Sequence, residues 1–278
     1  MIDSGEARLA AAITQNNRDM VQAFKLDHFG WLNDIARRLF DLPARHITHL
    51  VFEFDRRVGE QGLAAASGWL LEQFTASVQI SGALPITSGP LLIVSNHPGL
   101  VDAMMIFAQL GQRPVRVLAA ERPILRLLSH TIDYLIFIPD ESDQRLAAIR
   151  AAAAHLHQGG VLVTFPGGHI EPDPALHPDA AESVRHWSDS IALFTRLAPD
   201  LQVLPVAVHG VISPRALRHP ITRLYRTVER REWVAATLQV MLPRFRDTHV
   251  TLRIGAPIIP TDALMVDVRA QMATLLAC

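Results

Sequence analysis

The sequence has a single cysteine among 278 residues, Cys278 at the last position, so it can build neither a disulfide framework nor a thiolate metal cluster. A reducing compartment is expected. Charge is also scarce: Asp, Glu, Lys and Arg make up 19% of the chain, below the roughly 25% of an average soluble domain. The signs balance, 26 basic against 27 acidic side chains, which argues against bulk binding to nucleic acid. Long apolar runs are missing as well. The longest wholly apolar stretch is Ala103–Ala108, six residues, whereas a bilayer-spanning helix needs about 20. Gln73–Val101 carries no charge, but Pro85, Pro90 and scattered Ser, Gly and Asn break it into strand and turn. No secretory leader is expected, because Asp3 and Glu6 stand where a basic and then apolar segment would.

What is present is apolar material. At 49% of the chain it excludes a disordered polypeptide and leaves a surplus that lipid or a membrane surface can use. There is no internal repeat and no low-complexity linker. Residues 1–74 form an expected N-terminal helical region, with Leu9, Ile13, Met20 and Phe24, then Trp31, Ile35 and Leu39, at helical spacing. Asp41 and Pro43 mark an expected helix stop, and a further helix is expected over Ile47–Phe74. From Thr75 the pattern changes. Strand-like runs at Thr75–Ser81, Leu91–Ser95, Arg116–Ala120, Tyr134–Ile138, Val161–Phe165, Gln202–Val208 and His249–Ile254 alternate with helical patterns. The helices fall at Asp102–Leu110, Pro123–Ser129, Ser142–His157, Ala181–Leu197, Ile221–Val240 and Asp262–Leu276. The expectation is an α/β domain over 75–278, a largely parallel mixed sheet flanked by helices. Chemistry in such sheets lies beyond the carboxyl ends of strands, here the loops after Ser95, Ile138, Phe165 and Val208.

The first of these loops runs Ser95-Asn96-His97-Pro98-Gly99-Leu100-Val101-Asp102. A histidine leaves a buried strand, a Pro-Gly turn follows, and an aspartate opens a helix. Folded back, Asp102 can bond one imidazole nitrogen of His97 and leave the other to take a proton from a hydroxyl. Taken alone, the same residues also fit a helix-dipole aspartate beside an ordinary loop histidine. The loop after Phe165 reads Pro166-Gly167-Gly168-His169-Ile170-Glu171. Its paired glycines allow backbone N–H groups close to an oxyanion or phosphate, or simply form a turn. Leu204-Pro205-Val206 belongs to another buried strand with a His209-Gly210 exit.

These blocks, in order across about Thr75 to Pro260, resemble the glycerolipid acyltransferase family, best known for its 1-acylglycerol-3-phosphate acyltransferases. Asn96-His97 with Asp102 matches the family's His-x4-Asp motif. Phe165-Pro166-Gly167-Gly168 is similar to its Phe-Pro-Glu-Gly block, and Leu204-Pro205-Val206 to its Val-Pro-Val strand. The resemblance implies acyl transfer, without cofactor or metal, from an acyl-CoA or acyl carrier protein thioester to a hydroxyl of a lysophospholipid or related lipid. His97 would be the general base and Asp102 its orienting carboxylate. Asn96, Pro98, Gly99, Phe165, Pro166, Gly167, Gly168, His169 and Pro205 would form the substrate site, with backbone donors near Gly167 and Gly168 at the oxyanion. Cys278 does not serve as a nucleophile.

The departures bear on the acceptor. The family's second block ends in an arginine, but Tyr134-Leu135-Ile136-Phe137-Ile138-Pro139-Asp140 has none. Its third block has a glutamate where Gly167 stands, and Thr-Arg where His169-Ile170 stand. Bidentate phosphate recognition loses its usual donors, with Arg122 or Arg145 as possible substitutes. A catalytically weak lipid-binding member, or a thioesterase or lipid hydrolase, are the alternative functions.

Three further features stand out. Ser213–Arg246 holds eight arginines against Glu229 and Glu232, a net of +6, leaving −7 elsewhere. Interleaved with Trp233 and Tyr225, they suit an anionic membrane surface, or an ordinary solvated face; nucleic acid is the weaker fit. The N-terminal helices offer Phe24, Phe29, Trp31, Leu32, Leu39 and Phe40 to lipid or to core packing, and Arg122–Leu128 is a candidate wall for an acyl groove. The expected setting is therefore cytoplasmic, peripheral on the inner face of the membrane. Thirteen histidines do not make a metal site: His155 and His157 point apart on a helix, and His169, Glu171 and His177 lack a ligand motif.

Overall fold

The computed structural model describes residues 4–24, 30–85, 89–99, 101–139 and 142–277. Three helices come first: α1 (Ser4–Ala23), α2 (Gly30–Gln61) and α3 (Leu63–Phe74). The elements β1 (Ser77–Ser81), β2 (Leu91–Ser95), α4 (Asp102–Phe107), β3 (Val115–Ala120), β4 (Leu135–Ile138), α5 (Ser142–His157), β5 (Val161–Thr164) and α6 (Ser190–Leu197) follow. The chain ends with β6 (Gln202–His209), the short α7 (Pro214–Leu217) and α8 (Pro220–Arg223), α9 (Val228–Met241), β7 (His249–Ile254) and α10 (Leu264–Leu276). All seven expected strands are present.

They form one sheet in the order β1-β7-β6-β2-β5-β3-β4, parallel throughout except where β6 meets β7. The architecture is thus the expected mixed, largely parallel α/β sheet. Its central strands β2, β5 and β6 are mostly apolar and buried at every position but Gln202, because both faces are covered. Along β2, Leu91 and Ile93 enter a core shared with α1 to α4 and α9, while Leu92 and Val94 enter a second core with α5, α6 and α10. Strands β5 and β6 alternate in the same way, Val163 and Val206 on one side, Leu162 and Ala207 on the other. Met20, Phe24, Ala44, Phe54 and Val58 lie in that first core, so the N-terminal helices pack into the sheet's own interior.

Several helix boundaries differ from expectation. α2 does not stop at Pro43 but runs through it. Proline removes one N–H, yet Ala44 directly after it is fully buried, and Phe54 and Val58 follow on the same buried side. Tertiary packing outweighs the single lost bond. The break comes instead at Gly62, whose φ of 84° a glycine adopts without strain. The helix expected over Pro123–Ser129 is only a 3-10 turn at Leu125–Leu127. Just beyond it, the N–H groups of Ser129, His130 and Thr131 donate to buried Asp55 rather than to helical carbonyls. The helix over Ala181–Leu197 divides at Trp187, which is extended and turned inward, into a 3-10 segment (Ala180–His186) and α6.

The exit of β6 depends on a glycine. Gly210 has φ of 76°, and a Cβ there would lie 2.6 Å from the carbonyl oxygen of His249. Gly210→Ala is therefore expected to destabilise the fold by at least the roughly 1–3 kcal/mol of a left-handed non-glycine residue. Thermal or urea unfolding checks this.

Candidate active site

Strands β5 and β6 flank β2 as parallel neighbours, so their carboxyl ends bring three loops together. The loop after β4 does not join them, since β5 and β3 lie between β2 and β4; its Asp140 is outside the described residues.

The β2 loop is built around Asp102, 2% exposed at the start of α4. Its Oδ2 accepts from His97 Nδ1 at 2.7 Å and from the Gly99 N–H at 2.8 Å, while Oδ1 accepts from the Ala103 N–H. An ionised carboxylate only accepts, so Nδ1 carries the proton and Nε2 holds a free lone pair. Nε2 makes no hydrogen bond among the described residues, and the side chain is 31% exposed. The His97 ring leans on Phe165, centroids 4.4 Å apart, which ties the histidine to the β5 loop. Burial pulls the imidazole pKa down, but the hydrogen bond to Asp102, its charge and that of Glu171 more than offset this, leaving it above the ordinary 6.5.

Glu171 is the residue that sequence reasoning placed only among possible metal ligands. It is 3% exposed. Its Oε2 accepts from the His97 N–H at 3.0 Å, and its own N–H donates to the His97 carbonyl at 2.8 Å. Its Oε1 accepts from Ser183 Oγ and Trp187 Nε1. A Cβ on Gly167 would lie 2.9 Å from the Glu171 carboxyl carbon, so the missing side chain at 167 makes room for this carboxylate. The available signal was a glutamate two residues after a Gly-Gly-His turn, without a partner nearby in sequence.

The other expected site residues divide. Pro98 and Gly99 wall a cleft of about 710 Å3 together with Ile170, Glu171, α9 and parts of α1 and α2. His97, Phe165, Pro166, Gly167, Gly168 and His169 are not in that wall; the cleft begins at the turn beside the base. Gly168 donates its N–H to Phe165 O, so it has no free donor for an oxyanion, and only Gly167 of the pair makes no N–H bond among the described residues. His169 is exposed and Pro166 buried. Asn96 is 1% exposed, and its amide both donates to Val208 O and accepts from Val208 N–H, extending the β2–β6 ladder. Its side chain thereby ties the start of the loop to β6. Pro205 is buried inside β6 opposite Val94, away from the cleft. Arg122 and Arg145 do not line the cleft, and Arg145 bonds Pro139 O. Nor does Arg122–Leu128: Arg126 pairs with Glu121 over the Phe137 ring, and Leu128 is buried. No group of three metal-ligand residues occurs among the described residues.

The chain is thus an α/β protein in which a buried carboxylate holds a histidine at the carboxyl ends of central strands, beside a cleft. Residues 77–209, which contain this site, match the family model for Acyltransferase. The chain is also similar to the 1-acyl-sn-glycerophosphate (LPA) acyltransferase PlsC from Thermotoga maritima, with 18% identity and a TM-score of 0.43 over 93% of this chain and 91% of that one. No curated protein matches it.

Removing the Asp102 charge leaves burial to dominate. In Asp102→Asn, the His97 imidazole is expected to titrate at lower pH than in the wild type, by NMR. Because the native pKa is raised, the pair's contribution to stability is full below pH 6.5 and is lost as pH rises through the raised value.

Proposed function

We propose that the protein transfers a fatty acyl group from an acyl-CoA or acyl carrier protein thioester to a hydroxyl of a lysophospholipid or related lipid acceptor. The observation that carries this reading is the 2.7 Å bond from His97 Nδ1 to Asp102, which leaves Nε2 as an accessible base. Nε2 takes the hydroxyl proton as the acceptor oxygen attacks the thioester carbonyl. The C–S bond then breaks, and the proton passes from His97 to the departing thiolate. The Gly167 N–H is the backbone donor left for the oxyanion. Because the neutral imidazole is the active form, the acid limb of the rate profile lies above pH 6.5.

The cleft suggests the acceptor's character. Among the described residues its walls include Asp19, Asp179, Glu229 and Glu232 but no lysine or arginine, alongside Met20, Ile47, Ile212 and Trp233. A phosphate monoester would meet carboxylates there, whereas a neutral or cationic headgroup with an apolar chain would not be repelled. Thiol release from acyl-CoA and acyl carrier protein thioesters, measured with and without acceptors, tests both statements. Release that requires an acceptor, faster with an ammonium-bearing lyso-lipid than with lysophosphatidic acid, is the expected result. His97→Ala should lower it at least about a hundred-fold. Acceptor-independent release points to a hydrolase, and no release to a lipid-binding protein.

Membrane association at the inner face is part of the proposal. No helix among the described residues is long and apolar enough to cross a bilayer. On α2, however, Ile35, Leu39 and Leu42 stand exposed at i, i+4 and i+7. The Tyr225 hydroxyl donates to Phe24 O, and Phe24 stacks on Phe40, linking this helix to the segment that carries exposed Leu224, Arg223 and Arg226. Phe24 itself is buried and Phe40 partly so, which removes them from the lipid-facing set. In vesicle sedimentation, Leu39→Asp with Leu42→Asp, and separately Arg223→Glu with Arg226→Glu, should each weaken binding to anionic vesicles. Unchanged binding in both would end the membrane claim.

A further inference from the structure

Glu171 has a place in the site that local sequence spacing does not disclose. Its carboxylate is buried and makes no ion pair with a lysine or arginine among the described residues; its partners are the His97 N–H, Ser183 Oγ and Trp187 Nε1. Burial of a carboxylate is costly unless hydrogen bonds replace water, and three donors do so here. Two of them anchor the carboxylate to the 3-10 segment Ala180–His186 and to Trp187, part of the second core. The third is the main chain of the base itself. The Glu171 N–H closes the pair by donating to the His97 carbonyl, so one residue grips both peptide groups of His97. Asp102 orients the ring from the helix side, and Glu171 fixes the backbone from the opposite loop.

We propose that Glu171 is a positioning residue of the site: its buried carboxylate holds the His97 main chain against the β5 loop and keeps negative charge behind the imidazole. The kinetic part rests on the acyl-transfer reading above. Asp102 and Glu171 are the charged groups that act on His97, both favouring its protonated form. A purely structural staple would matter for stability alone. A positioning carboxylate also sets the approach angle of Nε2 and its basicity, so its loss alters kcat and the pH at which the base titrates.

The Gly167 geometry supplies an independent handle. Gly167→Ala places a methyl group 2.9 Å from the carboxyl carbon and 3.0 Å from Oε2. Glu171 must then shift although it is still encoded. Glu171→Gln keeps shape but loses charge, and one amide cannot accept on both sides from three donors.

The experiment compares wild type, Glu171→Gln, Gly167→Ala and the milder Ser183→Ala by NMR titration of His97, by acyl-transfer kinetics and by thermal unfolding. Asp55→Asn is the control, a buried carboxylate on α2 that caps the backbone N–H groups of Ser129, His130 and Thr131 and shares no hydrogen bond with His97 or Asp102. Expected for Glu171→Gln is a His97 titration at lower pH, with kcat reduced about tenfold to a hundredfold and KM nearly unchanged. Gly167→Ala should change both in the same direction, Ser183→Ala less, and Asp55→Asn should alter stability only. If folded Glu171→Gln and Gly167→Ala titrate His97 as wild type does and retain kcat, the proposal is overturned. Should Glu171→Gln fail to fold, Gly167→Ala and Ser183→Ala decide it. The NMR arm needs no turnover, so absence of acyl transfer in the wild type would refute the proposed reaction while leaving the positioning claim to be judged separately.

Discussion

The interior is organised by buried carboxylates that accept main-chain N–H groups from distant loops. Asp102 takes Gly99 and Ala103 along with His97, and Glu171 takes His97. Asp173, 1% exposed, takes Gly210, Val211 and Ile212 just past β6. Asp55 takes Ser129, His130 and Thr131. Loops that dip below the surface lose the backbone pairing that strands and helices provide, and each unsatisfied buried N–H costs on the order of 1–3 kcal/mol. Supplying an acceptor from another segment meets that cost and also fixes the two segments to each other. Three of these four carboxylates lie at the ends of β2, β5 and β6, where the candidate base is found.

The sheet explains why these loops meet at all. A strand buried on both faces has one register that keeps every apolar side chain covered, and β2 between β5 and β6 is of that kind. Asn96 adds a side-chain rung between β2 and β6 one residue before His97, so His97 leaves the sheet from a rigid point. Phe165 then meets its ring from the neighbouring strand's end. The site thus inherits the rigidity of the core rather than the mobility usual in loops.

This also sets the limit of what was legible in the residues. All seven strands could be seen, because short apolar runs between turn residues carry their own signature. His97 and Asp102 could be seen because they are five positions apart on one loop. Glu171 could not, since its partner lies 74 positions away, and neither could the bonds of Asn96 to Val208, 112 positions away. Pro43 misled for a related reason: local propensity predicts a stop, while the burial of Ala44 and the residues after it decides the outcome. Missed features share one property, dependence on a contact that only the folded chain creates.

The basic stretch shows the same dependence working on charge. As sequence, Ser213–Arg246 is a block of eight arginines. Folded, it disperses. Arg215 pairs with Asp247, Arg230 bonds Gln22 O, Arg231 bonds Tyr225 O, and Arg246 is half-buried between Gln73 O and Val240 O with Phe74 beneath it. The face that α9 presents to the cleft carries Glu229 and Glu232 instead, with Glu232 bonded to His177. A charge count along the chain therefore misstates the field at the cleft, where the helix turns its acidic side inward and spends much of its basic side on structure. The described walls of the cleft beside His97 are thus acidic and apolar, although the chain as a whole carries a basic block.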